Sequence, residues 1–212
     1  MIAINVLLEL DAAARQHAQA ANGLLRQSYP GGFAFDGSHE PHLTLLQRYI
    51  RLDDLLAVTT AVESIVKSEH VSDLLMKAIG CESARSGSGD LGILQLIVER
   101  SAQLGRLQQR IADAVQPLAI DGGTPDAFVH NDDGSSVGPA IVAYVETFLP
   151  ESSGERYQPH VTLGIAHRDF VRDMAAKPFA PFPFRPRCAA IYQIGDFGTA
   201  RKSLWRATWG LP

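Results

Sequence analysis

Cysteine is scarce in this sequence, and no apolar run in it is long. Only two cysteines occur among 212 residues. They are Cys81 and Cys188, far apart and without Cys-x-x-Cys spacing, which excludes a disulfide framework and the usual zinc modules. No apolar stretch approaches the ~20 residues of a membrane-spanning helix, and the apolar start "MIAINVLLELD" lacks the basic region and cleavage pattern of a signal peptide. We expect free buried thiols, no membrane partner and a cytoplasmic protein.

An excess of positive charge is also lacking. The chain has 19 lysines and arginines against 23 acidic residues, a formal net charge of -4. A protein with this charge balance is not suited to binding along a long phosphate backbone, so we expect no duplex nucleic acid as a partner. A nucleic-acid ligand would be a nucleotide, a short oligomer or an RNA terminus. With 46% hydrophobic residues, the chain can bury a core as one domain over 1–212, and we expect a monomer.

Strand and helix patterns alternate along the chain. Asp11 and Ser101 are placed to cap two of the helices, and a turn is expected at 84–90. The predicted helices cover 11–27, 51–69, 101–115 and 167–177. The predicted strands cover 2–10, 40–50, 73–83, 91–99, 140–149, 158–166, 188–194 and 203–209.

These elements repeat in order. The strands at 40–50 and 158–166 are each preceded by a strand and a helix, and each is followed by a helix and two strands. We therefore predict an α+β fold of two similar lobes, related by a pseudo-two-fold axis and an old duplication. Each lobe has an antiparallel-rich sheet with flanking helices, and the two equivalent strands meet at a central groove.

The same short motif opens both equivalent strands. Residues 41–45 read "PHLTL" and residues 159–163 read "PHVTL". Because side chains alternate along a strand, His42 and Thr44 point to one face, and His160 and Thr162 do likewise. A single His-x-Thr pair is most often structural, but two copies, each introduced by proline, favour a functional interpretation.

Two imidazoles and two hydroxyls facing one groove suit the hydrolysis of a phosphodiester. The reaction needs a base for water, an acid for the leaving oxygen and donors for the nonbridging oxygens. Histidine serves both proton roles because its ordinary pKa lies near neutrality.

The paired motifs resemble the two His-x-Thr-x signatures of the two-histidine (2H) phosphoesterase superfamily, which includes 2'-5' RNA ligases and RNA 2',3'-cyclic phosphodiesterases. The resemblance extends over the opening strand and helix, both motifs and the ending "YQIGDFGTARKSLWRATWGL". It implies a bilobal fold, a central groove, no metal and no other cofactor. It also implies His42 and His160 as catalytic histidines, with Thr44 and Thr162 holding the phosphate.

Other residues are weaker candidates. Arg48 shares strand parity with His42 and could bind substrate phosphate or ribose, or lie solvated at the strand end. Tyr157 could stack on a substrate base or close the edge of the core. Gly164 and Ala166 share parity with His160 and could leave room for a ligand, or pack between lobes. The segment "HNDD" at 130–133 is interpreted as a solvated turn rather than a metal site.

We expect a cyclic phosphodiesterase that acts on a 2',3'-cyclic phosphate, at a nucleotide or RNA terminus, or on 2'-5' linkages. Two alternatives use the same groove: a module that binds nucleotides or RNA ends without turnover, and a 2'-5' RNA ligase. The sequence leaves open which histidine is the acid, the natural substrate and the position of the product phosphate.

Overall fold

The computed structural model describes residues 1–85, 89–207 and 209. Within them the chain has an α+β fold, as predicted. Its helices are α1 (Ala12–Ser28), α2 (Leu55–Ser68), α3 (Ala102–Val115), α4 (Pro139–Ser152) and α5 (Arg168–Ala175). Its strands are β1 (Ile2–Leu10), β2 (His42–Ile50), β3 (Met76–Arg85), β4 (Leu91–Val98), β5 (Ala119–Ile120), β6 (His160–His167), β7 (Phe182–Phe184), β8 (Pro186–Ile194) and β9 (Ala200–Arg206).

One antiparallel sheet carries the described strands, in the order β7-β3-β4-β6-β2-β1-β8-β9, with β5 added beside β2. The two motif strands, β6 and β2, therefore lie next to each other at its centre. They pair at Leu43 and Val161. On either side the same pattern repeats outward, so that β1, β8 and β9 on one side correspond to β4, β3 and β7 on the other.

The two halves exchange elements. Strand β8, near the end of the chain, pairs with β1, and β4 pairs with β6. Helix α1 packs against β6, whereas α3 packs against β2. Each motif strand is thus supported by a helix that precedes the other motif, and both halves contribute to one core.

The helix ends follow from local chemistry. The side chain of Asp11 accepts a hydrogen bond from the Ala14 amide at 2.9 Å, and that of Ser101 accepts one from the Leu104 amide at 3.1 Å. Both predicted caps are confirmed, because each side-chain oxygen satisfies an amide that has no partner within its helix.

The segment 140–149 forms helix α4, so the strand predicted there is wrong. Its β-branched residues favour a strand, but Gly138 and Pro139 start a helix, with the proline at a position where no amide donor is needed. Buried Val145 and Phe148 then follow helical spacing.

The predicted turn at 84–90 connects two paired strands, but its residues 84–85 belong to β3 and only 89–90 form a described turn before β4. Residues 86–88 of it lie outside the described residues. Across the described part of the chain, no helix is both long and apolar enough to cross a bilayer.

Candidate active site

We name the face of the sheet that carries His42, Thr44, His160 and Thr162 the catalytic face, after the role predicted for these residues. All four side chains are partly exposed, while Leu43 and its partner across the strands are fully buried on the opposite face. Alternation along two adjacent strands thus brings both motifs to one face, which the sequence could predict only as a possibility.

The register of the central strands fixes how the motifs meet. Leu43 is paired with Val161. Continuing this antiparallel register by one residue in each direction sets His42 opposite Thr162 and Thr44 opposite His160. Such facing residues have Cβ atoms about 5 Å apart, and the two histidines lie on the diagonal, about 7–8 Å apart. The four motif side chains therefore form one cluster on this face.

A β-bulge follows the threonine in each motif. The pairing of β1 with β2 skips Leu45, and the pairing of β4 with β6 skips Leu163. A bulge adds one residue to one strand and re-aims the side chains that follow it. The two bulges occupy equivalent positions in the two motifs, which supports the pseudo-two-fold relationship.

A buried side-chain amide holds each bulge from the helix beneath it. Asn22 of α1 donates to the carbonyl of Leu163 at 2.9 Å, and Gln108 of α3 donates to the carbonyl of Leu45 at 3.3 Å. The same amides accept hydrogen bonds from the backbone of Phe35 and Gly154, in the segments that lead into the two motifs. Each amide therefore ties one motif to the approach to the other.

The bulge in β2 corrects the expectation for Arg48. The skipped residue reverses the alternation, so Arg48 leaves the catalytic face and lies opposite buried Ile4. Its guanidinium donates to the carbonyl of Glu146 at 3.2 Å and to the carboxylate of Asp121 at 3.1 Å. Arg48 anchors α4 to the sheet instead of facing substrate, and Gln47 takes its place on the catalytic face.

The bulge in β6 has the same effect on Gly164 and Ala166. A Cβ at Gly164 would lie 2.9 Å from the amide nitrogen of Asn22 and from Leu25, both on α1. Ala166 is fully buried in the core cluster. Both residues therefore face the helices, and their small size serves packing.

The structure also differs from the expectation that Tyr157 binds substrate. It is 4% exposed, and its hydroxyl donates to the backbone carbonyl of Thr44 at 2.9 Å. Burial raises its pKa above the usual range of a phenol. The ring belongs to the core, where it joins the approach to the second motif to the strand of the first.

Both catalytic-face histidines are anchored in the same way. The Nδ1 of His42 lies 2.7 Å from the carbonyl of Glu40, and the Nδ1 of His160 lies 2.9 Å from the carbonyl of Gln158. A carbonyl only accepts hydrogen bonds, so Nδ1 carries a proton in both rings. The nitrogen without a proton in each neutral ring is therefore Nε2.

The surroundings favour the neutral form of both rings. Burial lowers the pKa of His42 to about 4. Burial also lowers the pKa of His160, although its hydrogen bond to Gln158 and the nearby carboxylate of Glu82 oppose that shift. The carboxylate of Glu9 likewise opposes the effect of burial on His42, whereas the proximity of His160 adds to it.

Sequence reasoning missed two polar residues of β1 that face the site. Asn5 is fully buried and contacts both His42 and Thr44. Glu9, paired with His42, is 1% exposed and accepts hydrogen bonds from Tyr192 and Arg206 at 2.7 Å each. Burial alone would raise the pKa of Glu9, but these bonds lower it below the usual range. In the sequence, these two polar residues could have been recognised because they lie four positions apart in an otherwise apolar strand.

The described residues contain no group of three or more histidine, cysteine or acidic side chains close enough to hold a metal ion. The predicted solvated turn at 130–133 begins with an exposed histidine, and its Asn131 and Asp133 bond to Ser135.

No protein-family model and no curated protein matches the sequence. Three of the solved structures that match this chain are aligned over almost its whole length. TT0787 of Thermus thermophilus has a TM-score of 0.54 at 15% identity, covering 97% of this chain and 96% of that one. This similarity shows a shared fold.

The other two structures have lower TM-scores. A phosphoesterase has a TM-score of 0.44 at 10% identity, covering 98% of both chains. E. coli LigT in its apo form has a TM-score of 0.47 at 12% identity, covering 97% of both chains. The functional argument for this chain therefore comes from its own residues.

Proposed function

We propose that the chain is a 2H phosphoesterase that hydrolyses a 2',3'-cyclic phosphate, or a 2'-5' phosphodiester, by general acid–base catalysis with two histidines. The observation that carries the proposal is the meeting of two His-x-Thr pairs on one face at the centre of the sheet. Both rings are anchored through Nδ1, so both present Nε2 as the group that exchanges protons.

The proposed reaction is a displacement at phosphorus. One histidine accepts a proton from water as the water oxygen bonds to phosphorus. The bond from phosphorus to one ribose oxygen breaks, and the other histidine donates a proton to that oxygen. Hydrogen bonds from Thr44 and Thr162 stabilise the charge on the nonbridging oxygens as it builds up. No step uses a metal ion, so turnover persists in EDTA.

The test is a substrate panel followed by phosphorus NMR. The panel holds the four nucleoside 2',3'-cyclic phosphates, an oligoribonucleotide with a cyclic end, and 2'-5' dinucleotides. We expect hydrolysis of at least one class, with losses of ~10²–10⁴-fold in both His42→Ala and His160→Ala. Unchanged turnover in either variant, or binding without product across the panel, would contradict the proposal. Joining of RNA halves would identify a ligase.

A further inference from the structure

We infer that Asn5 is a positioning residue that makes His42 the proton acceptor of the pair and turns the hydroxyl of Thr44 toward the phosphate, leaving His160 as the proton donor. This inference rests on the proposed function and adds to it the roles of the two histidines.

The contacts of Asn5 differ in kind from those of the other buried amides. Its Nδ2 lies 3.1 Å from the Nε2 of His42 and 3.1 Å from the Oγ1 of Thr44. An amide NH₂ carries two hydrogens, one for each of these acceptors. Its Oδ1 is buried without a partner among the described residues. Asn5 therefore sits at the floor of the site with both donors directed at the first motif.

The bond to His42 favours one protonation state. Nδ1 of this ring already donates to the carbonyl of Glu40, so Nε2 of the neutral ring is the acceptor that faces Asn5. Protonation of Nε2 would set two donors against each other, which disfavours the charged ring. In the proposed reaction, the attacking water donates to this lone pair in place of Asn5. His42 thus stays in the form that a general base requires.

The bond to Thr44 orients its hydroxyl. A hydroxyl has one hydrogen and two lone pairs. Because Oγ1 accepts from Asn5 on the buried side, its own hydrogen is free to point away from the floor. A nonbridging phosphate oxygen between the two motifs is the acceptor it would meet. One amide therefore sets both the base and a phosphate donor of the first motif.

The second motif lacks this residue. Asn5 is paired with Gln47 in β2, and the equivalent place in β4 is Ile93, which is paired with Ile165. Isoleucine has no side-chain donor, and His160 has a hydrogen bond only at Nδ1 among the described residues. The pseudo-two-fold symmetry of the motifs is thus broken at the position of Asn5, and this difference distinguishes the two histidines chemically.

Charged groups around the rings are consistent with this division. His42 faces Glu9 of β1, whose charge is engaged by Arg206, and it faces His160 of β6. The side chain of Glu40, just before the motif, is paired with Arg15 of α1. The carboxylate of Glu9 raises the pKa of His42, but burial lowers it by more, and the proximity of His160 lowers it further.

The charge near the second ring is less compensated. His160 faces Glu82 of β3, an exposed residue whose charge favours the protonated ring. Its pairing partner in β4 is Ile97, and its neighbour on the catalytic face is Gln95 beside Thr162. Neither carries a charge.

The test is a histidine titration by NMR in the whole protein, with resonances assigned from His42→Gln and His160→Gln variants. In the wild-type protein we expect the pKa of His42 to be lower than that of His160. Asn5→Leu, which keeps the size but removes the donors, should raise the pKa of His42 by about 1 and leave that of His160 unchanged. Ile93→Asn, the variant at the equivalent position, should instead lower the pKa of His160.

Kinetics give the second readout. In Asn5→Leu, the acid limb of kcat/KM should move upward with the pKa of His42, and inorganic phosphate should inhibit about 10-fold more weakly, since losing the oriented Thr44 donor costs roughly one hydrogen bond to a charged group. A folded Asn5→Leu protein with both histidine pKa values unchanged would overturn the inference, as would a pKa of His160 below that of His42. Because the titration needs no substrate, an inactive protein with the expected pKa order would contradict only the proposed function.

Discussion

Leu43 of β2 is paired with Val161 of β6, and this pair lies at the centre of the relation between the two motifs. Each residue is flanked by a histidine and a threonine on the catalytic face and is itself fully buried on the other face. Any shift of this register by one residue would turn one motif into the core. The pair therefore fixes the geometry of the candidate site more directly than any contact between the four motif side chains.

The division of roles between the histidines predicts different responses to the leaving group. p-Nitrophenolate leaves without a proton, so a missing general acid matters little for bis(p-nitrophenyl) phosphate. His160→Ala should lose ~10²–10⁴-fold on a 2',3'-cyclic phosphate but roughly 10-fold or less on the aryl diester. His42→Ala should lose similarly on both substrates.

Steady-state rates with both substrates provide the measurement, and His17→Ala is the control because His17 is exposed on α1, away from the catalytic face. Equal losses on both substrates in His160→Ala would show that this residue is not the acid.

The pH dependence of kcat/KM is a second prediction, because this quantity reports the free enzyme. His42 must be neutral, which requires a pH above its pKa of about 4. His160 must be protonated, which requires a pH below its own pKa, and burial holds that value below the ordinary 6.5. We expect a bell-shaped profile with its maximum between those limits and falling rates toward neutral pH. An optimum above about pH 7 would contradict it.

How far the site could be predicted depends on which physical signal each residue leaves in the sequence. The four motif residues follow from strand alternation, because His42 and Thr44 need only a regular strand to share a face. The same rule predicts the wrong face for Arg48 and Gly164, because one skipped residue in each strand reverses the alternation. A bulge of this kind leaves no composition signature. Asn5 was visible as a polar residue in an apolar strand, but its partner lies 37 positions away.

The fold, too, could be predicted from the sequence only in part. The order of strands and helices follows from periodicity, and the exchange of β8 between halves does not, because pairing partners far apart in sequence leave no local pattern. In α4, the β-branched residues favour a strand. Pro139, which suits the first turn of a helix, is the sequence feature that favours a helix there.

The buried amides beneath the bulges give a third prediction. Asn22→Leu and Gln108→Leu each leave a bulge carbonyl and a loop amide without a partner. Each should lower the free energy of unfolding by about 1–3 kcal/mol. Because each amide joins both motifs, turnover should fall in both variants.

Urea unfolding and turnover of the folded proteins test this. Gln109→Leu is the matched control for the helix, since Gln109 is the exposed neighbour of Gln108 and its side chain bonds to Asp113 within α3. If the control lost as much stability as Gln108→Leu, the prediction that the buried amide stabilises the bulge would be contradicted.

A pair of glycines tests the bulge geometry directly. Gly164 has φ +151°, and a Cβ there would lie 2.9 Å from both the Asn22 amide and Leu25. Gly164→Ala should therefore lower the free energy of unfolding by on the order of 1–3 kcal/mol, and it should reduce turnover because Thr162 precedes the bulge. Gly23, within α1, has no atom within 4 Å of the position that a Cβ would take. Gly23→Ala should raise stability by up to ~1 kcal/mol, because alanine is the better helix former. The measurement is the midpoint of urea unfolding in both variants. An unchanged midpoint in Gly164→Ala would mean that β6 does not bulge toward α1.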